Sequence, residues 1–540
     1  MTLLKLLTDA TAQQRRQLLA MGVLSGAANA AILAVVNKGT AAAAAEATSG
    51  RYFLMFVIVL HVYVIAQRFI FERATTLFES LVEQLRRRLA ARMRASDLLV
   101  FERHPRAELF TRLTQETQVI ADQQGMIVGA TQSALFVVFA MIYMATISKL
   151  ALLLMAIVVG VAVALNKGRE AVHAEAIGTA TEGEIGFHGA VADQVDGFVE
   201  LKMDRARAAA VGNYVDARAA TLRDARVRMV TLFNNRQVFA QTFFFVLIGV
   251  IVFVLPRMVP SYSTVIQQLA TSVMFVVGPL ALIVGGLPSW ARANVAVANI
   301  AALEQALEEE SSPATVEVAS LPRPVRTLEL CDLTFRYPGP AADAFGIGPI
   351  NLSVSAGEVI FIVGGNGSGK STLLRLLIGL YVPTSGAVTA DGRPVDKDVV
   401  ASYRELFAAI LPGFHLFRHL FGIEGVDLAR LYRLLAEMHL TEKVAYRDGA
   451  FTTLDLSTGQ RKRLALAVAL LEDRPFLVFD EWAADQDPEY REYFYRHVIA
   501  DLKAAGRGVV VVTHDDRYFA IADRVLRMED GRLRSIDAVT

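Results

Sequence analysis

Residues 359–377 read VIFIVGGNGSGKSTLLRLL, and this stretch decides the fold of the C-terminal part of the chain. Five apolar residues predict a buried strand, a glycine-rich segment interrupts it, and the run that begins at Lys370 predicts a helix. The spacing Gly364-(four residues)-Gly369-Lys370-Ser371 is that of a phosphate-binding loop, in the strand–loop–helix context that such a loop requires. An ordinary glycine-rich turn is the alternative reading.

A phosphate-binding loop assigns chemistry to each of its residues. Its backbone N–H groups surround the β- and γ-phosphates, Lys370 neutralises their charge, and the Ser371 hydroxyl binds Mg²⁺. The predicted ligands are therefore ATP and Mg²⁺. The nucleotide-binding residues in this segment are Gly364, Gly365, Asn366, Gly367, Ser368, Gly369, Lys370, Ser371 and Thr372.

Two later strands also end in chemically active residues. The run Phe476–Phe479 ends in Asp480 and Glu481, and Val509–Val512 ends in Thr513 and His514. Charged groups at the end of a buried strand are costly unless they serve a cation or a reaction. Asp480 suits the Mg²⁺ shell, and Glu481 suits a general base or a residue that orients the attacking water. His514 reads either as a structural residue or as a sensor of the γ-phosphate.

Composition divides the chain into three parts. From residue 326 to 540, short β-branched runs alternate with helical stretches, which predicts an α/β domain with a mostly parallel sheet. Residues 306–325 are rich in Glu, Ser, Ala and Pro and read as a linker. Residues 1–305 carry the excess of apolar residues.

Long runs without Asp, Glu, Lys or Arg predict six membrane-spanning helices in residues 1–305. A helix needs ~20 largely apolar residues to cross the hydrocarbon. The first run does not resemble a signal peptide, because five more follow it. The runs are 17–37, 52–67, 123–148, 150–166, 237–256 and 258–290.

Basic residues orient these spans. Nine arginines lie between residues 73 and 112, and nine Lys and Arg residues lie between 167 and 228. The positive-inside rule places both segments, and both termini, in the cytoplasm. Both segments are too long for simple loops and predict long helical extensions of the spans. They either reach a cytoplasmic partner or lie on their own bundle.

The remaining composition gives few further constraints. The 540 residues carry 54 basic and 54 acidic side chains, so net charge points to no nucleic-acid partner. Apolar residues make up 54%, more than the usual ~45–50% of soluble chains. Cys331 is the single cysteine, which excludes an intramolecular disulfide, and we expect it to be a small buried side chain.

The stretch DLSTGQRKR, residues 455–463, opens a predicted helix. Ser457 is a favourable N-cap residue, so an ordinary helix start explains it. A helix N-terminus is equally a binding site for an anion, so the stretch also fits a phosphate.

Taken in order and spacing, these motifs resemble the ATP-binding cassette (ABC) ATPases. Six spans before one cassette resemble the half-transporter arrangement of ABC exporters, and this resemblance covers essentially the whole chain. The sequences FDEWAADQDPEYREYFY, THDDRYFAIADRV and DGFVELKMDRAR are more narrowly similar to the cyclic-peptide exporters, which include exporters of pyoverdine precursors, syringomycin-type lipopeptides and microcins.

The resemblance implies further roles. Tyr337 would stack on adenine, Asp487 would be the D-loop acid, and the turns near His104–Glu108 and Met203–Arg207 would be coupling elements. Residues 456–460 would form the signature motif, which contacts the γ-phosphate bound by the other subunit of a head-to-tail dimer. The nucleotide-binding residues of this motif are Ser457, Thr458, Gly459 and Gln460. The chain therefore needs a second copy of itself or a paralogue.

The chain departs from the family pattern at several positions. Pro412 falls where the Q-loop glutamine is expected, and the Glu-Arg-Gly element before the signature is absent. The D-loop reads Ala484-Asp485-Gln486-Asp487, and Trp482 follows the catalytic glutamate, where a small residue is usual. We expect ATP hydrolysis to survive, while the linkage between cassette and spans differs from that of relatives.

The leading functional hypothesis is ATP-driven export of a peptide-like product, such as a cyclic peptide, lipopeptide or peptide siderophore, across the bacterial cytoplasmic membrane. Alternatives are a lipid or lipopeptide flippase, a siderophore importer on an exporter-like frame, and an ATPase that regulates a membrane partner. Polar residues inside the spans either face a cavity or bond to a neighbouring helix. They are Asn29, His61, Tyr63, Gln67, Gln132, Gln241 and Gln267.

Overall fold

The structure is a computed structural model that describes most of the chain in two compact units. The N-terminal unit comprises residues 1–92 and 105–306, and the C-terminal unit comprises residues 93–104 and 307–540. The described residues are 3, 5, 12–44, 50–104, 109–110, 112–149, 152–153, 156–157, 160, 170–254, 263–309, 320–338, 345–423 and 425–536.

Long helices build the N-terminal unit. Their apolar segments lack the regular polar face of a soluble helix, as expected of helices surrounded by lipid and by each other. Short π-helical turns adjoin them at Arg112–Glu116 and Val250–Val254. In chain order the described helices of residues 12–309, of which α3 belongs to the C-terminal unit, are α1 Ala12–Ala44, α2 Gly50–Ala95, α3 Leu98–Arg103, α4 Thr117–Asp122, α5 Gln124–Ile147, α6 Glu170–Asp196, α7 Phe198–Met203, α8 Arg205–Gly249 and α9 Ser263–Glu309.

Four of the described helices are long and apolar enough to cross a membrane: residues 16–43, 50–95, 112–147 and 266–308. They overlap the first, second, third and sixth predicted spans. The predicted span 150–166 lies mostly outside the described residues, and span 237–256 ends outside them. Close packing holds the helices together: a Cβ at Gly286 of α9 would lie 2.4 Å from the Cβ of Ala130 in α5, so only glycine fits there.

Two helices extend well past the apolar segments. Helix α2 continues to Ala95, and α8 begins at Arg205, some thirty residues before the apolar run at 237. In the N-terminal unit, the Arg88 guanidinium of α2 contacts the carboxylate of Glu304 in α9, with a distance of 2.6 Å between Nε and Oε1. Long helical extensions are therefore present on both predicted cytoplasmic segments.

The C-terminal unit is an α/β domain with two main sheets. The six-stranded sheet has the order β12-β11-β3-β10-β9-β6, and the four-stranded antiparallel sheet has the order β2-β1-β4-β5. Its strands are β1 Thr327–Arg336, β2 Gly346–Ser355, β3 Val359–Val363, β4 Ser385–Ala390, β5 Arg393–Pro394, β6 Phe407–Ile410, β7 Tyr446–Arg447, β8 Ala450–Phe451, β9 Phe476–Asp480, β10 Gly508–Val512, β11 Arg524–Glu529 and β12 Arg532–Ile536.

Helices cover the larger sheet. They are α10 Lys370–Leu377, α11 Val400–Arg404, α12 Leu428–Glu437, α13 Thr458–Leu471, α14 Pro488–Tyr493 and α15 Ile499–Ala504, with a π-helical turn at Phe494–Val498 and 3₁₀ turns at Trp482–Asp485 and Asp516–Ile521. Strands β3, β9 and β10 are buried along their whole length, which is why they read as continuous apolar runs rather than alternating ones.

The expectation that Cys331 is buried is wrong. The pairing of β1 with β2 shifts register between Leu330 and Leu333, so Cys331 and Asp332 both face solvent. Such a bulge places one extra residue on the strand and breaks the in–out alternation.

Candidate functional site

The parallel strands bring the predicted catalytic residues to one edge of the larger sheet. Strands β11, β3, β10, β9 and β6 all pair in parallel, so their carboxyl ends lie side by side. The phosphate-binding loop follows β3, Glu481 follows β9, and His514 lies just beyond β10. Ligands of open parallel sheets bind at this edge, so the topology assembles a single site from distant parts of the sequence.

The phosphate-binding loop is held open by its glycines. Gly364, Gly367 and Gly369 have φ angles of 152°, 76° and 105°. A Cβ at Gly364 would lie 2.3 Å from the carbonyl oxygen of Met528, so the loop cannot accept a side chain there. Helix α10 starts from Gly369 without a side-chain cap, which leaves its first N–H groups for an anion.

Lys370 lies over this loop. Its ammonium donates to the carbonyl oxygens of Gly364 at 2.8 Å and of Gly365 at 3.0 Å, and the residue is only 6% exposed. Two backbone carbonyls of the loop therefore fix the position of the Lys370 side chain beside the start of α10. The hydroxyl of Ser368 is also buried and has no partner among the described residues, so it adds a free donor to the loop.

Asp480 and Ser371 fit a magnesium ion. Asp480 is 5% exposed, and burial raises the pKa of its carboxyl, while a hydrogen bond from Ser371 acts in the opposite direction. Its Oδ2 has no hydrogen-bond partner among the described residues. A buried oxygen left open beside a hydroxyl is a donor set that suits Mg²⁺, which in phosphate sites takes few protein ligands and keeps its other positions for phosphate and water.

Glu481 and His514 contact each other at the mouth of the site. The distance between His514 Nε2 and Glu481 Oε1 is 3.2 Å, and both side chains are half exposed. The backbone of Glu481 has a left-handed φ of 51°, an uncommon conformation for a residue other than glycine. Its N–H donates to Val512 and its carbonyl accepts from Lys462, at 3.1 and 2.8 Å, so this conformation is fixed from both sides.

Tyr337 lies next to the start of α10. Its hydroxyl is 3.1 Å from the hydroxyl of Thr372, and its ring meets the rings of Phe335 and Tyr381 edge to face at 5.0 and 5.9 Å. The ring is therefore anchored beside the phosphate-binding loop and remains partly exposed. This position is compatible with the predicted contact to adenine.

The signature segment forms a helix cap. The Ser457 hydroxyl accepts from the N–H of Gln460, and the Gln460 side chain accepts from the N–H of Ser457, which is a complete capping box. A Cβ at Gly459 would lie 3.1 Å from the carbonyl oxygen of Asp485, and the Gln486 amide donates to the Gly459 carbonyl at 3.2 Å. The D-loop therefore packs directly under the signature helix.

The structure gives Asp487 and Trp482 structural contacts. The Asp487 carboxylate caps α14 by accepting from the N–H of Tyr490 at 3.0 Å. The Trp482 ring is buried, stacks on Phe494, and donates to the carbonyl of Lys462 at 2.9 Å. The large residue after Glu481 is accommodated because it fills the core beneath the signature helix.

Sequence reasoning missed a polar row that begins at α3. The carboxylate of Glu102 accepts from the Tyr381 hydroxyl at 2.6 Å and lies 3.4 Å from the Arg375 guanidinium, and Arg375 also donates to Tyr381. Burial and the bond to Glu102 raise the pKa of Tyr381, so it remains a neutral donor. Arg375 lies in α10, so this row joins the helix of the phosphate-binding loop to α3.

Helix α3 belongs to the C-terminal unit through this row and through apolar packing. Leu98 and Leu99 pack against the core that includes α10. The predicted turn His104–Glu108 begins just after α3, and residues 105–108 lie outside the described residues. The sequence does not mark this contact. Glu102 is one charged residue near the end of a predicted helix, and Tyr381 is one aromatic residue after the phosphate-binding helix, so neither forms a recognisable motif.

Pro412 lies in an exposed turn after β6. The N–H of Phe414 donates to the carbonyl of Leu411 at 3.2 Å, and Gly413 has a φ of 74°, so residues 411–414 form a tight turn. Proline offers no side-chain amide at this edge of the sheet. A different linkage between the cassette and the spans therefore stays a prediction.

Comparisons with known proteins agree with this geometry. Residues 347–484 match the family model described as ABC transporter. The chain is 37% identical over 298 residues to ATP-binding protein SyrD of Pseudomonas syringae pv. syringae, which covers 53% of this chain and 52% of SyrD. It is 31% identical over 223 residues to the probable syringafactin export ATP-binding/permease protein SyfD of the same species, covering 38% of this chain and 33% of SyfD.

A third curated relative is the macrolide export ATP-binding/permease protein MacB of Burkholderia pseudomallei, 33% identical over 223 residues, which covers 38% of this chain and 33% of MacB. The chain thus spans about half of SyrD and a third of the others. A bacterial Atm1-family ABC exporter with ATP bound has a similar structure, with a TM-score of 0.78, 17% identity, and coverage of 97% of this chain and 95% of that one.

The fold is that of an ABC exporter half-transporter, with a helical N-terminal part and a phosphate-binding α/β domain. Residues 347–484 match the ABC transporter family model, and the chain is similar to an ABC exporter in its fold. The predicted fold class and family resemblance are both confirmed.

Proposed function

We propose that this chain is one half of a dimeric transporter that uses ATP binding and hydrolysis to export a peptide-like product across the bacterial cytoplasmic membrane. The observation that supports this most directly is the edge of the larger sheet. An uncapped helix start, a buried lysine and an acid–histidine pair converge there. The four apolar helices supply a membrane domain to which that chemistry can be linked.

Each residue of the site has a separate role in ATP hydrolysis. Lys370 and the N–H groups after Gly364 bind the phosphates and neutralise their charge. Glu481 orients the attacking water and accepts its proton, and His514 holds the Glu481 carboxylate at 3.2 Å. Ser371 and Asp480 would hold Mg²⁺, which when bound offsets the negative charge of the β- and γ-phosphates.

The signature segment requires a second subunit in this proposal. One chain carries one phosphate-binding loop and one signature helix. The capping box uses the N–H groups of Ser457 and Gln460 and does not use those of Thr458 and Gly459. These two remaining groups, together with the Ser457 hydroxyl, would contact the γ-phosphate bound by a second copy or a paralogue.

Two short helices would transmit the conformational change of the cassette to the membrane-spanning helices. Helix α3 is tied to the phosphate-binding helix through Glu102, Tyr381 and Arg375. Helix α7 has no buried residue, and Met203 at its end is 84% exposed. We infer that α7 docks on the cassette of the partner subunit, because an exposed apolar helix end needs a partner to cover it.

The transported product is proposed from two sources. The relative SyfD is named for syringafactin export, and uncharged polar side chains lie among the apolar helices of the N-terminal unit. Both favour an amphipathic product with uncharged peptide groups. The basic residues of the two long segments favour an orientation with both termini in the cytoplasm. Export is proposed because SyfD and MacB are both named for export.

Reconstitution tests this proposal. Purified protein in inside-out proteoliposomes should hydrolyse ATP and accumulate syringafactin in the lumen only when ATP is supplied. Glu481→Gln in the same lipid is the control that cannot turn over. Movement in the opposite direction would indicate an importer, lipid scrambling alone would indicate a flippase, and ATPase without any vectorial movement would indicate a regulatory ATPase.

A further inference from the structure

A polar cavity lies inside the N-terminal unit. Its volume is about 180 Å³, and helices α1, α2, α5 and α9 form its walls. Six of its described lining residues carry uncharged polar groups, and none of the described lining residues is charged. These six are Ser25, Asn29, Tyr63, Gln67, Gln132 and Ser133.

Three of these side chains form a row of hydrogen bonds across three helices. The Ser25 hydroxyl of α1 donates to Gln67 Oε1 of α2 at 3.0 Å. Gln67 Nε2 then donates to Gln132 Oε1 of α5 at 2.8 Å. Hydrogen bonds between membrane helices need no further function, so the row alone could be purely structural.

The end of the row at Gln132 is incomplete. Gln132 Nε2 is buried and has no hydrogen-bond partner among the described residues. If both amide planes were reversed, every bond in the row would reverse, and the Gln132 carbonyl oxygen would be the unpaired atom instead. Either way, one amide atom of Gln132, a residue that lines the cavity, is left without a partner among the described residues. A buried amide atom without a partner is costly, which favours a ligand that completes it.

The chemistry of the cavity selects the ligand. A peptide group carries both an N–H donor and a carbonyl acceptor, so it completes the row in either direction. A carboxylate or an ammonium would enter without a counter-charge, because the described residues that line the cavity carry no charge. The volume is below the ~300–1,000 Å³ of sites that enclose drug-sized ligands. The cavity therefore fits one segment of a larger product, not a whole lipopeptide.

We propose that this cavity, which we call the amide pocket, binds one uncharged peptide unit of the transported product through Gln132. The proposal rests on the proposed export function and adds to it the residue that recognises the product. Ser25 and Gln67 act as positioning residues, because they orient the Gln132 amide from the far side. Apolar wall residues such as Phe71 and Phe136 leave room for the aliphatic part of the same unit.

Binding of a defined probe tests the amide pocket. The probe is a fluorescent dodecanoyl tripeptide amide with uncharged side chains, and fluorescent dodecanol is its counterpart without peptide groups. Gln132→Met keeps the length of the side chain and removes the amide. The matched control is Gln241→Met, the same change at an exposed position on α8.

In full-length protein in nanodiscs, Gln132→Met should weaken peptide-probe binding about tenfold, the effect of leaving one buried hydrogen bond unmade. Its affinity for dodecanol should be unchanged, as should both affinities of Gln241→Met. Ser25→Ala, which frees the far end of the row, should weaken peptide-probe binding by about two- to threefold. Melting temperatures of all variants show whether they are folded.

ATP-dependent accumulation of the peptide probe in proteoliposomes, measured in parallel, separates the two proposals. If the wild type accumulates the probe and folded Gln132→Met binds it as tightly, the amide pocket is refuted and the export function stands. Equal loss of peptide and dodecanol binding in Gln132→Met would also refute it, because the effect would not concern the peptide group. If the wild type neither binds nor accumulates any acyl peptide, the proposed function fails with it.

Discussion

Two helices of the C-terminal unit begin in opposite ways. Helix α10 starts from Gly369, at a φ of 105° and without a side-chain cap. Helix α13 starts from Ser457, at a φ of −60° and with both halves of a capping box in place. Each helix start presents four N–H groups that the helix itself cannot satisfy. The first leaves them for a ligand, and the second satisfies two of them with its own side chains.

The difference indicates how tightly each helix start can hold an anion alone. Helix α10 has uncapped N–H groups, the Lys370 ammonium and a glycine-rich loop, so it can bind phosphate by itself. Helix α13 has neither a loop of glycines nor a buried cation at its start, and its cap is stable without a ligand. The start of α13 is therefore suited to contact a nucleotide that the phosphate-binding loop at the start of α10 in another subunit already holds.

Lys370→Ala removes the main charge at the first helix start and should have the largest effect. ATP affinity should fall about 10- to 100-fold, since a hydrogen-bonded buried charge is lost, and turnover should become undetectable. Titration with a fluorescent ATP analogue and a phosphate-release assay measure the two quantities. ATP binding equal to that of the wild type would contradict the role of α10 as the independent phosphate site.

Glu481→Gln leaves both helix starts intact and removes only the base. Turnover should fall by ~10²–10⁴ while ATP remains bound, which traps the closed dimer. Filter binding with labelled ATP and light scattering measure occlusion and dimer mass. Near-normal hydrolysis by the purified variant would refute the assignment of Glu481.

Linked dimers test whether the second helix start serves the partner's nucleotide. With Lys370→Ala in one subunit and Ser457→Arg in the other, both lesions fall in one composite site and the other stays intact. With both changes in the same subunit, each site carries one lesion. The first dimer should therefore keep one working site and the second none.

ATP occlusion is measured beside hydrolysis in these dimers, because an intact site should trap nucleotide even if it cannot turn over alone. Equal occlusion by the two arrangements would contradict the shared site. The difference between the uncapped start of α10 and the capped start of α13 would then have no role in ATP binding by the dimer.

Tyr381→Phe asks whether α10 acts on the membrane domain through α3. The change removes the bonds to Glu102 and Arg375 and keeps the ring that stacks on Phe335. We expect ATPase activity without substrate to stay within about twofold, since the ring and the phosphate loop are retained, and stimulation by transported substrate to be lost.

Tyr403→Phe is the matched control for this change. The Tyr403 hydroxyl donates to the carbonyl of Leu377, also in α10, at 2.6 Å, but makes no described contact with α3. It should lower stability and leave stimulation by substrate intact. The same loss of stimulation in both variants would show that the row through Glu102 has no special part in coupling.

Ser457→Ala should have the smallest effect on stability. Loss of an N-cap costs ~1 kcal/mol, or a fall in melting temperature of ~2–4 °C for a domain of this size. Asp427→Ala removes an equivalent cap from α12, where the Asp427 carboxylate accepts from Arg430 at 3.0 Å. Calorimetry should show similar losses, whereas only Ser457→Ala should also reduce hydrolysis. Unchanged hydrolysis in Ser457→Ala would identify the signature serine as a cap alone.

The sequence predicted the C-terminal fold well because its signals are local. The phosphate-binding loop and the apolar strands β3, β9 and β10 each encode one element and its function in a few residues. Ser371 and Asp480 were each assigned to Mg²⁺ from the sequence, and they lie together because Ser371 follows β3 and Asp480 ends β9, parallel strands that end at one edge of the sheet. The capping box could be expected from Ser457 and Gln460 alone, because both halves lie within one turn.

Contacts between distant segments could not be predicted in the same way. The row from Glu102 to Arg375 joins residues 273 positions apart, and no periodic pattern marks either end. Cys331 was wrongly expected to be buried, because the bulge in β1 depends on how β1 pairs with β2 and not on the residues nearby. In the N-terminal unit, the apolar runs predicted the four long apolar helices. The partners of the polar residues within them depend on the rotation of each helix about its axis.

The bulge that exposes Cys331 has a practical consequence. Because the chain contains one cysteine and that thiol faces solvent, a nitroxide or fluorophore attached by maleimide chemistry reports from a single known position in the wild-type protein. A homodimer would carry two such labels, one in each cassette. Pulsed electron spin resonance between them would then follow the approach and separation of the cassettes through the ATP cycle, without engineering any residue.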